Sequence, residues 1–197
     1  FAVEHWQVAP DILVAAKGLS SGYAPLGAVI ASKKVVEAIA EGSGALLHGF
    51  TYNAHPISLA AGRAVLQYLQ KHKLVQAADD QQEGTPARAL RTALDSLLDV
   101  PVVGDIRGIG LLLGVEFVAD KKTKAPFDPK KNFSGLVGQA AAKRGLLVYP
   151  MQGSVDGVAG DHLLLAPPAI LTPEQMAWAA DQLRSAIDDA GRTLLSA

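Results

Sequence analysis

The stretch AAKGLSSGYAPLGAVIAS, residues 15–32, contains a single charged side chain, that of Lys17. Lys17 follows a mainly apolar run at residues 11–16 and precedes a loop punctuated by glycine, serine and proline. A short apolar run without alternation predicts a strand covered on both faces, as in a parallel sheet. An ammonium group at the end of such a strand either reaches water along its apolar stem or takes part in a reaction.

Two interpretations of Lys17 are open from this pattern. In the first, the lysine is a strand-end residue whose charge stays in water, which is common in folded proteins. In the second, burial lowers the pKa of the lysine, and the neutral amine acts as a nucleophile and later as a proton carrier. The residues around Lys17 do not decide between the two.

The same loop contains a rival motif, because residues 18–22 match the G-x-S-x-G nucleophile elbow of α/β hydrolases around Ser20. Asp156 or Asp161, followed by His162, would complete a triad in the chain order of that fold. The elbow must lead directly into a helix, but the next residues are YAPLG, whose proline and glycine prevent a sustained helix. The motif therefore lacks its required context, and a hydrolase is the least favoured of the alternatives.

The second informative stretch is HGFTYNAHP, residues 48–56, in which Thr51 lies in a loop before a helix that Pro56 begins. A hydroxyl and exposed backbone N–H groups near a helix start suit an anionic group. A loop that binds nothing would explain this stretch equally well if it stood alone. The histidines show no spacing typical of metal ligands, so no metal site is predicted.

The composition excludes several classes of protein. The chain has 197 residues, 49% of them hydrophobic, and a net charge of −1, which gives no electrostatic reason to expect a nucleic-acid or membrane-surface partner. The absence of cysteine excludes disulfides, zinc–thiolate sites and thiol catalysis. No secretory signal or membrane-spanning run is visible, so we expect a cytoplasmic protein. The sequence begins abruptly at Phe1, and we expect it to be part of a longer protein.

The pattern divides the chain into two parts. Residues 1–73 combine short apolar strands with helices, which is typical of half an α/β layer, and residues 74–197 have the pattern of a small α+β domain. The predicted strands lie at 11–16, 26–31, on both sides of a turn at 108–110, at 146–150 and at 162–168. The predicted helices begin at 33, 56, 74, 133 and 173. Ser32 is expected to be the N-cap of the first helix, and a helix break is expected at 84–86. Strand-like residues follow the Gly-Ile-Gly turn, so a tight turn explains it better than a dinucleotide loop.

Four stretches in one order carry a resemblance to a known family: PDILVAAKGLSSGYAPLGAVIAS, HGFTYNAHPISLAAGRAVL, VGDIRGIGLLLGVEFV and GDHLLLAPPAIL. Together they closely resemble the class III aminotransferases, which are pyridoxal-phosphate enzymes of fold type I. The resemblance implies an α/β fold, with residues 1–73 as the C-terminal part of the large, cofactor-binding domain and residues 74–197 as the small C-terminal α+β domain. It also implies transfer of an amino group between an amine or amino-acid donor and a 2-oxo acid acceptor.

The resemblance assigns the site residues as well. Lys17 matches the lysine that holds pyridoxal 5'-phosphate as a Schiff base and, once the substrate amine has displaced it, moves a proton between substrate and cofactor. Thr51 matches the threonine whose hydroxyl and backbone N–H bind the cofactor phosphate, and Phe50 beside it is expected to form a wall. Because the family threonine comes from the partner subunit, the resemblance implies a homodimer with a shared active site.

Departures from the family pattern bear on function. The family's aspartate for the pyridine nitrogen, its ring-stacking aromatic residue and its phosphate loop precede the lysine and have no counterpart in these residues. No arginine stands before the final Pro-Pro strand to bind a carboxylate, and Ala159 and Leu164 occupy those positions. Arg107 is a candidate substitute, although an ion pair with Asp105 is the favoured interpretation. An inactive fragment, or a decarboxylase or racemase on the same scaffold, stays an alternative.

Overall fold

The computed structural model describes residues 1–195 and divides into two compact units, Phe1–His72 and Lys73–Ala197. The boundary lies one residue before the one expected from the sequence pattern, which ended the first part at residue 73. Helices and short antiparallel sheets occur in both units. The assignment of the first unit to a cofactor-binding large domain, and of the second to a small C-terminal domain, stays a prediction.

The first unit consists of two strands and two helices. Strand β1 spans Ile12–Ala15, β2 spans Ala28–Ala31, helix α1 spans Lys33–Glu41 and helix α2 spans Pro56–Lys71, with single 3₁₀ turns at Ala2–Trp6 and Lys17–Leu19. The two strands pair antiparallel, with Ile12 opposite Ala31, because the loop between them turns the chain back without a crossover helix.

The expectation that the first strand is covered on both faces, as in a parallel sheet, is wrong for this unit. Val14 on β1 is 75% exposed and Val29 on β2 is 71% exposed. A two-stranded ribbon has no third strand to cover its edges, and the described residues of this unit leave these side chains open. The apolar run in the sequence therefore reflects surface that the unit does not bury by itself.

The start of α1 ties the ends of both strands together. Ser32 is the N-cap residue, as predicted, but its hydroxyl donates to Asp11 Oδ1 over 3.1 Å instead of capping the helix. Lys34 Nζ lies 3.4 Å from the other oxygen of the same carboxylate. Asp11, which precedes β1, is thereby connected to the residues that follow β2. These contacts join the two strands at the end of the ribbon opposite the loop that connects them.

The second unit is a four-stranded antiparallel sheet with helices. Its strands are β3 (Val103–Ile109), β4 (Leu112–Phe117), β5 (Tyr149–Met151) and β6 (Asp161–Leu165), in the order β3-β4-β6-β5. Its helices are α3 (Leu74–Ala77), α4 (Pro86–Asp95), α5 (Phe133–Lys143) and α6 (Pro173–Leu195), with 3₁₀ turns at Ser96–Asp99 and Pro129–Lys131. A break precedes α4, as predicted, but the helix that begins at residue 74 already ends at Ala77 and not at 84–86. Thr85 caps α4 by accepting from Arg88 N over 3.1 Å.

The hydrophobic core lies in the second unit. Strand β4 alternates in burial, and its inward side chains Leu113, Val115 and Phe117 meet the helices. Helix α6 contacts both α4 and α5, so the three helices cover one face of the sheet. All buried hydrophobic residues among those described belong to this unit.

The turn between β3 and β4 has the tight geometry that was expected. Gly110 has a φ of +61°, and a Cβ there would lie 2.3 Å from the carbonyl oxygen of Ala78. A strand follows the turn, which excludes the helix that a dinucleotide loop requires. Across residues 1–195, no helix combines the length and the apolar character needed to cross a bilayer. A cytoplasmic location stays a prediction.

Candidate active site

Lys17 lies two residues beyond the end of β1, in a turn with unusual backbone geometry. Its φ is 51°, in the left-handed region that non-glycine residues rarely adopt. Its carbonyl oxygen accepts from Ser20 N over 3.3 Å, which closes the single 3₁₀ turn that follows. A left-handed non-glycine residue costs about 1–3 kcal/mol, and such residues are concentrated at functional sites.

The side chain of Lys17 is exposed. The first unit by itself therefore does not supply the burial that the second interpretation assumes, and that interpretation stays a prediction. The reason for this exposure is the isolated β1–β2 ribbon, whose neighbouring side chains are themselves open to water.

Ser20 is structural, which agrees with the hydrolase motif being the least favoured alternative. Its side chain is 2% exposed, and its hydroxyl donates to the carbonyl oxygen of Ala24 over 2.5 Å. Tyr23 N donates back to Ser20 O over 3.0 Å, so the loop folds on itself and no helix follows. An elbow nucleophile must present its hydroxyl to a substrate at the start of a helix, and Ser20 does neither.

Thr51 lies in an exposed turn within the loop before α2. Asn53 N donates to Phe50 O over 3.0 Å and closes this turn. The ring of Phe50 packs edge-on against His48, with ring centroids 4.9 Å apart and planes at 83°. The turn precedes α2, a helix of 16 residues that begins with Pro56, five residues after Thr51.

A groove in the first unit brings part of this loop to the end of β1. Its lining includes Ala15, Ala16, Leu26, Phe50 and Tyr52. Phe50 therefore lies with the residues that immediately precede Lys17. The lining does not include Lys17 or Thr51. Within one chain, the groove therefore brings Phe50 to the end of β1, but it does not bring Lys17 and Thr51 together.

Two histidines of the groove were missed as site candidates. His48 and His55 both line it, although the sequence pattern gave them no role beyond ordinary surface or core residues. His55 is the N-cap residue of α2, and its Nδ1 is buried without a hydrogen-bond partner among the described residues. The signal available in the sequence was their position, since one histidine stands at each side of the threonine turn.

Arg107 in the second unit is occupied by an ion-pair network, as the structural interpretation expected. Its Nη1 lies 2.8 Å from Asp105 Oδ2 and also contacts Glu116 on the neighbouring strand. The carboxylates of Glu116 and then Asp105 raise the pKa of Arg107 above its usual value. A guanidinium held by two carboxylates is a poor substitute for a free substrate-binding arginine.

The loop between β5 and β6 contains the carboxylate of Asp156 and, three residues later, Ala159, one of the two positions at which the resemblance places a family arginine. Asp156 Oδ1 accepts from Ala159 N over 2.7 Å and from Val158 N over 2.9 Å. These hydrogen bonds lower the pKa of Asp156, and the bond from Ala159 has the larger effect. Ala159 therefore contributes its backbone to an acidic turn, and Leu164 is half-buried on β6. Among residues 1–195, no group of three or more histidines or acidic residues could hold a metal ion.

The family model for class III aminotransferases matches residues 1–187. The aminotransferase YodT of Bacillus subtilis (strain 168) is 42% identical over 176 residues, which cover 89% of this chain and 38% of that protein. The probable aminotransferase Rv3329 of Mycobacterium tuberculosis (strain ATCC 25618 / H37Rv) is 37% identical over 197 residues, which cover 99% of this chain and 40% of that protein.

Solved structures that are similar to this chain are also transaminases. A transaminase from the marine bacterium Virgibacillus superposes with a TM-score of 0.90 at 31% identity, covering 98% of this chain and 42% of that one. A transaminase solved with L-ala superposes with a TM-score of 0.86 at 31% identity, covering 98% of this chain and 43% of that one. These likenesses confirm the expected α/β fold. The chain spans less than half the length of each of these proteins.

Proposed function

The chain belongs to the class III aminotransferases, and on that basis we propose that it forms part of an enzyme that uses pyridoxal 5'-phosphate to move an amino group between an amine or amino-acid donor and a 2-oxo acid acceptor. The observation that carries the proposal is Lys17, an exposed amine held in a left-handed turn at the end of β1. No other lysine of the first unit lies in the loop between its two strands.

The residues of the first unit fit pyridoxal 5'-phosphate by their chemistry. Lys17 offers a primary amine to an aldehyde, and Thr51 offers an exposed hydroxyl shortly before the N-terminus of α2, where the helix dipole favours a phosphate. Phe50 offers an aromatic side chain within the groove. When bound, the cofactor supplies an electron sink for the carbanion formed at the substrate carbon.

Lys17 has two roles in this proposal. Its Nζ holds the cofactor covalently in the resting enzyme, and the left-handed turn determines where the side chain leaves the backbone. After the substrate amine has taken its place, the free amine holds and moves a proton at Nζ, as a positioned general base and acid. Thr51 Oγ1 and the backbone N–H of the same residue bind the phosphate.

We extend the proposal to a homodimer whose two active sites are shared. The first unit leaves apolar side chains open on β1, on β2 and in the loop before α2, where Leu47 is 95% exposed. An exposed apolar surface of this kind is typical of an interface. Thr51 lies in the same loop, so a second copy packed against it would bring its own Lys17 to this threonine.

The covalent role of Lys17 is tested by reduction and mapping. The full-length protein is incubated with pyridoxal phosphate, reduced with borohydride and digested, and the modified peptide is identified by mass spectrometry. We expect the adduct on Lys17, and Lys17→Arg should remove it. An adduct on Lys33 or Lys34 instead, or no adduct at all, would overturn the proposal.

The shared site is tested by mixing two inactive variants, Lys17→Ala and Thr51→Ala. In a mixed dimer, one site has the intact lysine of one subunit and the intact threonine of the other. Because half of the dimers are mixed and each has one intact site, we expect about a quarter of the wild-type activity after subunit exchange. A threonine that served its own subunit would give no recovery, and that result would rule out sharing.

The same preparation separates transfer from its sister reactions. Stoichiometric appearance of a new amino acid from an added 2-oxo acid is the expected product of amino transfer. Release of carbon dioxide, or inversion of the donor without any new amino acid, would identify a decarboxylase or a racemase. No residue of the described chain favours either reaction or an inactive fragment over amino transfer.

A further inference from the structure

We propose that Gly62 on α2 is a positioning residue for Lys17, because the absence of a Cβ there provides the space in which Leu26 holds the lysine loop against the helix. The lysine loop is residues 17–27, between β1 and β2. This inference rests on the proposed function, since it assigns a consequence for the reaction to the position of Lys17.

Helix α2 approaches the lysine loop closely at Gly62. A Cβ built on Gly62 would lie 2.4 Å from Leu26 Cδ2 and 3.6 Å from the carbonyl oxygen of Leu19. Carbon atoms do not approach to 2.4 Å, so alanine would require the Leu26 side chain to move, while the carbonyl oxygen of Leu19 would lie at ordinary contact distance from the new methyl group. Ser20 and Gly62 are the two residues of the first unit that are buried. The unit is therefore packed most tightly where this helix meets this loop.

Hydrogen bonds inside the loop link this contact to Lys17. Ser20 receives a bond from Tyr23 N at its carbonyl, donates its hydroxyl to Ala24 O over 2.5 Å, and donates its N–H to Lys17 O. These bonds close the loop on itself between Lys17 and Ala24, and the carbonyl of Leu19 within it faces Gly62. We therefore expect a displacement at this contact to reach the backbone of Lys17. Leu26 also lines the groove that contains Phe50.

Glycine at position 62 is unfavourable for the stability of helix α2, so helix formation does not explain its presence there. Glycine in the interior of a helix is less favourable than alanine, because it loses more backbone freedom on folding. Gly191 on α6 provides the matched contrast, since a Cβ there would have no atom within 4 Å. Of these two helical glycines, therefore, Gly62 is the one that its surroundings require.

The first experiment measures hydrogen exchange in the full-length protein and needs no cofactor. In Gly62→Ala we expect the amides of Leu19, Ser20, Ser21 and Tyr23 to exchange about tenfold faster, as the loop loses its support. Gly191→Ala should leave these amides unchanged. The double variant Gly62→Ala with Leu26→Ala, in which the smaller side chain makes room for the new methyl group, should return their exchange to within about threefold of wild type.

The second experiment measures the consequence for Lys17. We expect Gly62→Ala to lower kcat about tenfold with little change in KM, and to shift the pH midpoint of the absorbance of the lysine-bound cofactor, because a misplaced amine mainly affects the transition state. The double variant should recover both properties in part. A residue that only stabilised the fold would change neither the absorbance midpoint nor the kcat of the folded fraction.

The outcomes separate this inference from the function on which it rests. Unchanged exchange of the loop amides in Gly62→Ala, or equal acceleration throughout the first unit, overturns the proposed support of the loop. Faster loop exchange with an unchanged absorbance midpoint and an unchanged kcat overturns the role for Lys17. If the wild-type protein forms no adduct at Lys17, the proposed function fails together with that role, and the exchange data alone decide whether Gly62 supports the loop.

Discussion

The two units place the same residue type in opposite surroundings. In the second unit the ring of Phe133 is fully buried, 4.6 Å from the stacked ring of Phe127 and 5.2 Å from the edge-on ring of Phe117. In the first unit Phe50 is 68% exposed and touches His48 edge-on. One phenylalanine is part of a core, and the other is open to a ligand or a partner.

The difference separates stability from chemistry along the chain. Burial of apolar surface contributes about 25 cal/mol per Å² to folding, and the buried hydrophobic residues described here lie in the second unit. The lysine, threonine and phenylalanine proposed for the active site all lie in the first unit. Substitutions at these three positions are therefore expected to alter chemistry, whereas substitutions in the core of the second unit alter stability.

Lys17→Arg is expected to have the largest effect on chemistry. Arginine keeps the charge, but its guanidinium does not deprotonate in proteins, so it neither attacks an aldehyde nor returns a proton. Transamination by the full-length protein should fall at least about 1000-fold, within the range attributed to a positioned acid–base group. The urea midpoint should not change, because the side chain is exposed. Lys33→Arg, at an exposed position on α1, is the control, and activity surviving only in the control is the expected result.

Phe133→Ala and Phe50→Ala test the comparison directly as a matched pair. Removing the buried ring should lower the free energy of unfolding by about 4 kcal/mol, since it leaves a cavity among Phe117, Phe127 and the helices. Removing the exposed ring should lower it by less than about 0.5 kcal/mol. Both values are measured by urea denaturation. Similar losses in the two variants would show that the units do not differ in packing as described.

Asp161 offers a smaller and purely structural change in the second unit. It is fully buried on β6, and its Oδ1 accepts from Ser134 N over 2.8 Å and from Ser134 Oγ over 2.9 Å at the first turn of α5. Asp161→Ala leaves both donors buried without an acceptor and should cost about 3 kcal/mol in urea denaturation.

Asp161→Asn, which keeps an acceptor oxygen, should lose about half as much stability. In both variants the rate per folded molecule should equal that of the wild type. A selective loss of kcat would place Asp161 in the active site and contradict the separation between the units.

Substitution of Asp189 on α6 is expected to have the smallest effect on stability, and that effect depends on pH. The ion pairs with Arg144 and then Arg192 lower the pKa of this carboxyl below its usual value. A carboxyl with a lowered pKa in the folded state stabilises the protein above about pH 4 and loses that contribution as the pH falls further. Asp189→Asn should therefore show a shallower decline of the urea midpoint between about pH 5 and pH 2. An identical decline in the variant would show that the pair does not contribute.

Elements with local signals could be predicted from the sequence. Pro56 and Pro173 stand at the first position of the helices they were expected to begin, and the hairpin around Gly108 to Gly110 is present. The strand expected at 146–150 is shifted to Tyr149–Met151, since only the residues that face His162 to Leu164 find partners on β6. A pattern shows which residues favour a strand, but a neighbouring strand decides which of them pair.

By itself, the sequence determined which residues can carry the chemistry and where helices and turns begin, because caps, prolines and glycines act over a few neighbouring positions. Lys17 and Thr51 were candidates from their local sequence, and the resemblance to the class III aminotransferases is what implied roles for them and for Phe50. Only the tertiary structure decided that β1 and β2 pair antiparallel and that Lys17 is exposed. The same holds for the close approach of Gly62 to Leu26, since it joins residues 36 positions apart, and no local pattern specifies the distance between them.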